Sequence, residues 1–140
     1  MKYQINYENN LRCSLTHEGS GNELKTDAPK DNNGKGETFS PTDLTAVSLA
    51  SCMLTVIAIY LKKNGYSEPR VSGSAEKKMS NSPRRIQSIE VNLLIELNET
   101  DSSEEMKSAI RNVAKTCPVA LSLHPETSQI LTIEFKTYSA

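Results

Sequence analysis

Two cysteines, Cys52 and Cys117, stand 65 positions apart in similar settings, SLASCMLTVIAIYL and NVAKTCPVALSL. Thiols among small and aliphatic residues can be sheltered from bulk water yet reached by a small oxidant. A thiolate attacks an electrophilic oxygen or sulfur, and a sulfenic acid formed that way is trapped as a disulfide when a second thiol is near. The two α-carbons must then approach to within about 7 Å. Spacing alone leaves open whether these two react with each other or are packing residues, the usual fate of a free cysteine.

The third cysteine, Cys13, sits between Leu11 and Leu15 on the apolar side of an alternating segment, and the expectation is a core residue. His17 and His124 are far apart and no cysteine lies in a CxxC spacing, so neither a metal centre nor any other cofactor is expected.

Elements that must position the thiols can be read from periodicity. Lys2 to Glu8 alternates with Tyr3, Ile5 and Tyr7 on one face, turns at Asn9 and Asn10, and returns through Leu11 to Thr16. A third short strand is expected over Glu23 to Thr26. Ala28 to Thr38 (APKDNNGKGET) lacks an apolar period and is expected to be a mobile surface loop, with glycines at 34 and 36 that would let it close over a cleft.

Ser40 and Pro41 open a long helix. Pro41 suits a first helical turn, Asp43 complements its positive end, and Lys62, Lys63, Asn64 and Gly65 close it. On a helical projection the apolar arc holds Leu44, Val47, Leu49, Met53, Leu54, Val56, Ile57, Tyr60 and Leu61. Cys52 falls at its margin beside Thr45, Ser48, Thr55 and Ile59, where a cleft could form. Leu44 to Leu61 runs eighteen residues without a charge, but its serines and threonines gather on one side, which fits a buried amphipathic helix rather than a membrane span.

Two strands follow, Val71 to Met79 and Arg85 to Leu97, joined by a turn over Ser80 to Pro83. Ser102 to Glu105 reads as a capping box for a second helix with Met106, Ile110, Val113 and Cys117 in one stripe. Pro118 disfavours helical geometry at Cys117 itself. A short helical piece over Val119 to Leu123 and a strand over Gln129 to Lys136, with Leu131, Ile133 and Phe135 on one face, complete the order βββ-α-ββ-α-(α)-β. That order points to an α+β fold rather than a parallel βαβ array.

At 140 residues the chain is expected to form one domain, residues 1–140. A net charge of −1, from 16 basic and 17 acidic residues spread along the chain, argues against nucleic acid as a partner. MKYQINYENN has no apolar stretch of the secretory kind, so a cytoplasmic location is expected, where thiols are kept reduced.

With SPTDLTAVSLASCMLTVIAIYLKK and, far downstream, AKTCPVALSL, nearly the whole chain resembles the OsmC and organic hydroperoxide resistance (Ohr) superfamily, as a divergent OsmC-like member. The resemblance implies an OsmC-like fold in an intertwined homodimer with two-cysteine sites at the subunit interface. It also implies a peroxidase that reduces organic hydroperoxides to alcohols, Cys52 as the peroxidatic nucleophile and Cys117 as the resolving thiol. The reductant implied is a thiol donor, often a lipoyl-type dithiol.

The chain departs from the family pattern at two charged positions. The family glutamate ten residues before the nucleophile corresponds to Thr42, with Asp43 adjacent, and the family arginine falls near Asn9 and Asn10, with Arg12 the nearest cation. Asp43 and Arg12 are therefore possible supporting residues, set against plainer roles as a helix-end charge and a solvated strand residue. The departures keep a second reading open, an OsmC-like dimeric small-molecule binding or redox-sensing protein with little peroxidase activity.

Overall fold

The structure, a computed structural model, describes residues 1–66 and 69–139. The chain divides into two compact units, Met1–Thr45 and Ala46–Ala140. Their elements form the α+β fold that the pattern of strands and helices predicts.

In the first unit, β1 (Tyr3–Tyr7), β2 (Arg12–His17) and β3 (Glu23–Asp27) form an antiparallel sheet in the order β1-β2-β3, with Ile5 opposite Leu15 and Leu15 opposite Leu24. The β1–β2 turn runs through three left-handed residues, Asn9, Asn10 and Leu11. Asparagine tolerates that conformation, whereas Leu11 enters it against its Cβ. Leu11 thus belongs to the turn and not to the return strand.

The expected core role of Cys13 is corrected here. Cys13 is only half-buried, and most of its face of the sheet is open, with Tyr3, Ile5, Tyr7 and Leu24 exposed although Thr26 beside it is buried, while Ser14 on the opposite face is buried. Alternation identifies which side chains share a face, but Tyr3, Ile5, Tyr7 and Leu24 on that face stay exposed among the described residues.

The segment after β3 is also more constrained than a loose loop. It holds a single 3-10 turn, Lys30–Asn32, and folds back through Gly34 N–H to Pro29 C=O, Gly36 N–H to Ala28 C=O and Asp27 N–H to Phe39 C=O. At Gly34 an added Cβ would lie 1.7 Å from the Ala28 carbonyl oxygen, so the close backbone approach there requires glycine.

Helix α1 (Pro41–Lys63) ends as its basic last turn and Gly65 predict. Gly65 has φ +98°, and the amides of Gly65 and Tyr66 donate to the carbonyls of Lys62 and Leu61, a Schellman closure. By length and composition α1 could cross a membrane. Its buried row is Ala46, Leu49, Ala50, Met53, Ile57 and Leu61. Two alanines in that row let the helix sit close, and Val47, expected in the apolar arc, lies exposed beside it.

In the second unit, β4 (Arg70–Asn81), β5 (Arg84–Asn98) and β6 (Ser128–Tyr138) form a second sheet in the order β4-β5-β6. Strands β4 and β5 make the antiparallel hairpin, but β5 and β6 run parallel, so one βαβ crossover exists within the α+β architecture. The crossover is carried by α2 (Glu104–Ala114) and α3 (Pro118–Ser122).

The N-cap of α2 is Ser103, accepting from Met106 N–H, and not Ser102. Asn98 caps a preceding 3-10 turn, Glu99–Asp101, and Ser102 donates its hydroxyl to Glu99 C=O, which shifts the helix start by one residue. With Met106 at the third position, no carboxylate completes a capping box.

The core lies in this second unit. Ile89, Val91, Leu93, Ile95 and Leu97 of β5 are all buried, together with the α1 row, Ile110 and Ala114 of α2, and Cys117. Each fully buried Leu or Ile side chain contributes about 1.5–3 kcal/mol of hydrophobic stabilisation.

Candidate functional site

Cys117 lies between α2 and α3, and its backbone explains its position. Pro118 excludes helical geometry from the residue before it, so Cys117 is extended, with φ −62° and ψ 137°, while Pro118 serves as the first residue of α3. The side chain then occupies an N-cap position normally taken by Ser, Thr, Asp or Asn. Its Sγ accepts from the Ala120 amide at 3.2 Å. The expected stripe holds through Ile110 and Val113, but Cys117 leaves α2 and is buried as the cap of the next helix.

Cys52 sits midway along α1, half-buried and packed against the core cluster that contains Cys117. Its neighbours on that face, Ser48, Thr55 and Ile59, are exposed, so the side chain stands at the margin between core and solvent. Thr55 spends its hydroxyl on Ser51 C=O at 2.8 Å. The two thiols pack into one apolar cluster and are near enough for Cys52 to bear on the ionisation of Cys117. Packing of α1 and the α2–α3 junction over one sheet therefore brings together side chains 65 residues apart.

Burial is the largest influence on Cys117 and pushes its thiol up. The Ala120 amide pulls in the other direction, the neighbouring Cys52 raises it again, and the Val119 amide lowers it. The net direction is upward, so the neutral thiol is the favoured form of Cys117 while it remains sheltered.

A cavity of about 420 Å³ opens between α1 and β4, lined by Val47, Ala50, Leu54 and Ala75 with Ser51, Thr55, Gly73 and Ser74, and by neither cysteine. It offers apolar contact and a few hydroxyls, and no charged group. Among the described residues no three of His, Cys, Asp and Glu cluster in a manner that would hold a metal ion.

The two charged candidates belong to the first unit, and both are occupied there. Arg12 donates from Nε to Asp27 Oδ1 at 2.7 Å and from Nη2 to Asp27 Oδ2 at 2.9 Å and Glu37 Oε2 at 2.8 Å. It is not a simply solvated strand residue: its guanidinium ties β2 to the end of β3 and to the segment that follows. Asp27 is buried, and the Arg12 hydrogen bonds hold its carboxyl down to about 2, with burial opposing and the Glu37 amide assisting.

Asp43 accepts from Ser40 N–H at 2.8 Å, and Ser40 Oγ accepts from Asp43 N–H at 3.1 Å. This is a reciprocal box at the start of α1, which realises the helix-end role of Asp43 in a stronger form than a charge alone. Thr42, at the family's glutamate position, shares its hydroxyl with Ser40 at 3.2 Å.

One polar residue near the thiols escaped the sequence reading. Gln129 donates from Nε2 to Ala120 C=O at 2.9 Å, on the same residue whose amide reaches Cys117. The available signal was a polar side chain in the otherwise apolar row Gln129, Leu131, Ile133 and Phe135.

Residues 34–131 match a family model described as OsmC-like protein. The fold is similar to a crystal structure of a presumed osmotic stress induced and detoxification response protein from Psychrobacter arcticus, 39% identical, covering 96% of each chain with a TM-score of 0.87. It is also similar to an organic hydroperoxide resistance protein OsmC from Legionella pneumophila, 17% identical, covering 95% of each chain, TM-score 0.74. The organic hydroperoxide resistance protein OhrB of Bacillus subtilis shares the fold at 17% identity and a TM-score of 0.62, with 95% of this chain and 96% of that chain covered. A search of curated proteins finds no match.

Proposed function

This chain belongs to the OsmC-like protein family, and on that premise we propose that it is a thiol-dependent peroxidase that reduces organic hydroperoxides to alcohols. A peroxide-related redox role is supported at the level of the family by relatives named for organic hydroperoxide resistance. The observation that carries the reading for this chain is the packing of Cys52 against the buried cluster that contains Cys117, near enough to bear on its ionisation.

In the proposed cycle the Cys52 thiolate attacks the terminal oxygen of ROOH. The O–O bond breaks, the alkoxide takes a proton and leaves as ROH, and Cys52 is left as a sulfenic acid. Cys117 then attacks the Cys52 sulfur. The S–O bond breaks, hydroxide leaves with the Cys117 proton as water, and a disulfide forms. A dithiol donor, of the lipoyl type in this reading, reduces the disulfide through a mixed disulfide and is itself oxidised.

The assignment of roles follows exposure. Cys52 stands at a margin that a hydroperoxide can reach, whereas Cys117 is buried behind it and is biased toward the thiol, as suits a group that reacts only after its neighbour has been oxidised.

The proposed assembly is a single-domain chain in an intertwined homodimer. It is supported by the open apolar face of the first sheet, where Tyr3, Ile5 and Tyr7 remain 59%, 61% and 62% exposed. The reading also places the protein in the cytoplasm, where a thiol reductant is at hand, with α1 as a core helix and not a membrane span.

Stopped-flow mixing with cumene hydroperoxide tests the assignment. Fast consumption that is lost in Cys52→Ser supports it, and equal slow rates for both proteins overturn it. The engagement of Arg12 by Asp27 and Glu37, and of Asp43 by Ser40, favours a second reading, an OsmC-like redox sensor or small-molecule binder. In that case one equivalent of peroxide still joins Cys52 to Cys117, but over minutes and without turnover.

A further inference from the structure

Helix α3 has no buried residue, and Leu121 on it is 74% exposed. Val119 and Ala120 pack only in part against the core, so polar contacts share in fixing the element whose amides face Cys117. One lies in its following loop, where Arg85 donates to His124 Nδ1 at 3.2 Å and to Glu126 at 2.8 Å. Another, made directly to α3, comes from Gln129.

Gln129 pairs in register with the fully buried Ile89 and is part-buried on the row of β6 that carries Leu131, Ile133 and Phe135. Its partner, the Ala120 carbonyl, can only accept, so the amide nitrogen of Gln129 must face it. The result is a continuous path: Gln129 Nε2 to Ala120 C=O at 2.9 Å, and Ala120 N–H to Cys117 Sγ at 3.2 Å. A polar side chain is costly in such a row unless its hydrogen bond is made, and this one is spent on the residue that touches the sulfur.

We propose that Gln129 is a positioning residue for the thiol chemistry: it holds Ala120 so that the amide stays aimed at the Cys117 sulfur, and thereby sets the rate at which Cys117 closes a disulfide on oxidised Cys52. This rests on the peroxidase reading for the closing step, in which the Cys52 S–O bond breaks and water leaves. Gln129 touches neither peroxide nor the reacting sulfurs and acts only through Ala120. Without it α3 frays, the amide turns away, and Cys117 loses a donor that steadies its developing negative charge.

The test uses Gln129→Met, which keeps the size and removes the donor, and Gln129→Glu, which at neutral pH presents only acceptors to the Ala120 carbonyl. In the full-length protein, peroxide consumption by Cys52 should be unchanged in both, while disulfide closure, followed by loss of dimedone-reactive sulfenic acid, slows by roughly fivefold. A second readout does not depend on peroxide. In Cys13→Ser/Cys52→Ser protein, the ultraviolet absorbance of the Cys117 thiolate should develop at higher pH when Gln129 is replaced.

Closure at the wild-type rate together with an unmoved thiolate titration in either soluble, folded variant would overturn the inference. If the wild-type protein forms neither sulfenic acid nor disulfide with peroxide, the peroxidase reading fails instead. The titration then decides on Gln129 alone, a rise supporting its positioning role and an unmoved curve refuting it.

Discussion

Ser40 and Asp43 exchange hydrogen bonds across the first turn of α1, Ser40 N–H to the Asp43 carboxylate at 2.8 Å and Asp43 N–H to Ser40 Oγ at 3.1 Å. The pair satisfies one orphan donor of the helix and fixes the chain just before it. Ser40 is buried, so its hydroxyl has no water to fall back on. Ser40→Ala should cost about 1 kcal/mol of stability, read from urea unfolding. Asp43→Asn, which keeps an acceptor, should cost less, and it should leave the peroxide rate of Cys52 unchanged if the carboxylate serves only the helix.

The Arg12–Asp27 pair should make the protein acid-sensitive over a narrow range. Asp27 lies at about 2 in the folded chain, mainly through Arg12, against an ordinary value of 3.8. A carboxyl depressed by folding contributes stability that is fully present above its unfolded value and is lost as pH falls through the folded one. Acid unfolding should therefore show a component that declines from about pH 4 to about pH 2. Asp27→Asn should lack it and be less stable at neutral pH, and a wild-type curve parallel to that of the variant would refute the assignment.

Removing one thiol at a time separates their proposed roles. With Cys117→Ser, one equivalent of peroxide should leave Cys52 as a sulfenic acid, and excess peroxide should carry it to sulfinic acid, visible by intact mass. With Cys52→Ser, Cys117 should resist oxidation because it is buried and biased toward its neutral form. Rapid oxidation of Cys117 in that variant would reverse the assignment.

The open face of the first sheet predicts self-association. Ile5 is exposed, faces Leu15 across the β1–β2 pair and borders a cavity of about 430 Å³ lined by Tyr3, Leu15, His17 and Leu24. Ile5→Glu should shift the mass seen by light scattering from dimer to monomer or make the protein aggregate at low salt. A wild-type mass of one chain at micromolar concentration would remove the basis for the dimer.

Local patterns were legible wherever the burying partner is also set by a local period. The alternation of Ile89 through Leu97 predicts β5 and its buried face, and Pro41, Lys62, Lys63 and Gly65 predict both ends of α1. Cys13 shows where that reasoning stops, since an alternating row tells which side chains share a face and not what lies against it. Helix starts depend on competition among nearby polar groups, so Asn98 displaced the expected cap from Ser102 to Ser103.

For the candidate site, Cys52 and Cys117 stood out by type and setting, but their meeting is a tertiary fact. It depends on a parallel β5–β6 crossover that the order of elements did not reveal. In the sequence, Gln129 is a polar residue at a strand start and reads as an ordinary edge position. Only its bond to Ala120 gives it meaning.

The sulfur of Cys117 is also a structural ligand, since it closes the first turn of α3. Any bond that draws this atom elsewhere therefore competes with the helix for its position and its strength as an acceptor. By reciprocity, whatever strengthens the cap in the reduced protein makes a disulfide drawn from Cys117 easier to reduce, at about 30 mV for each 1.4 kcal/mol. A five-residue helix thus becomes a means by which distant substitutions can set the thiol–disulfide balance without touching either cysteine.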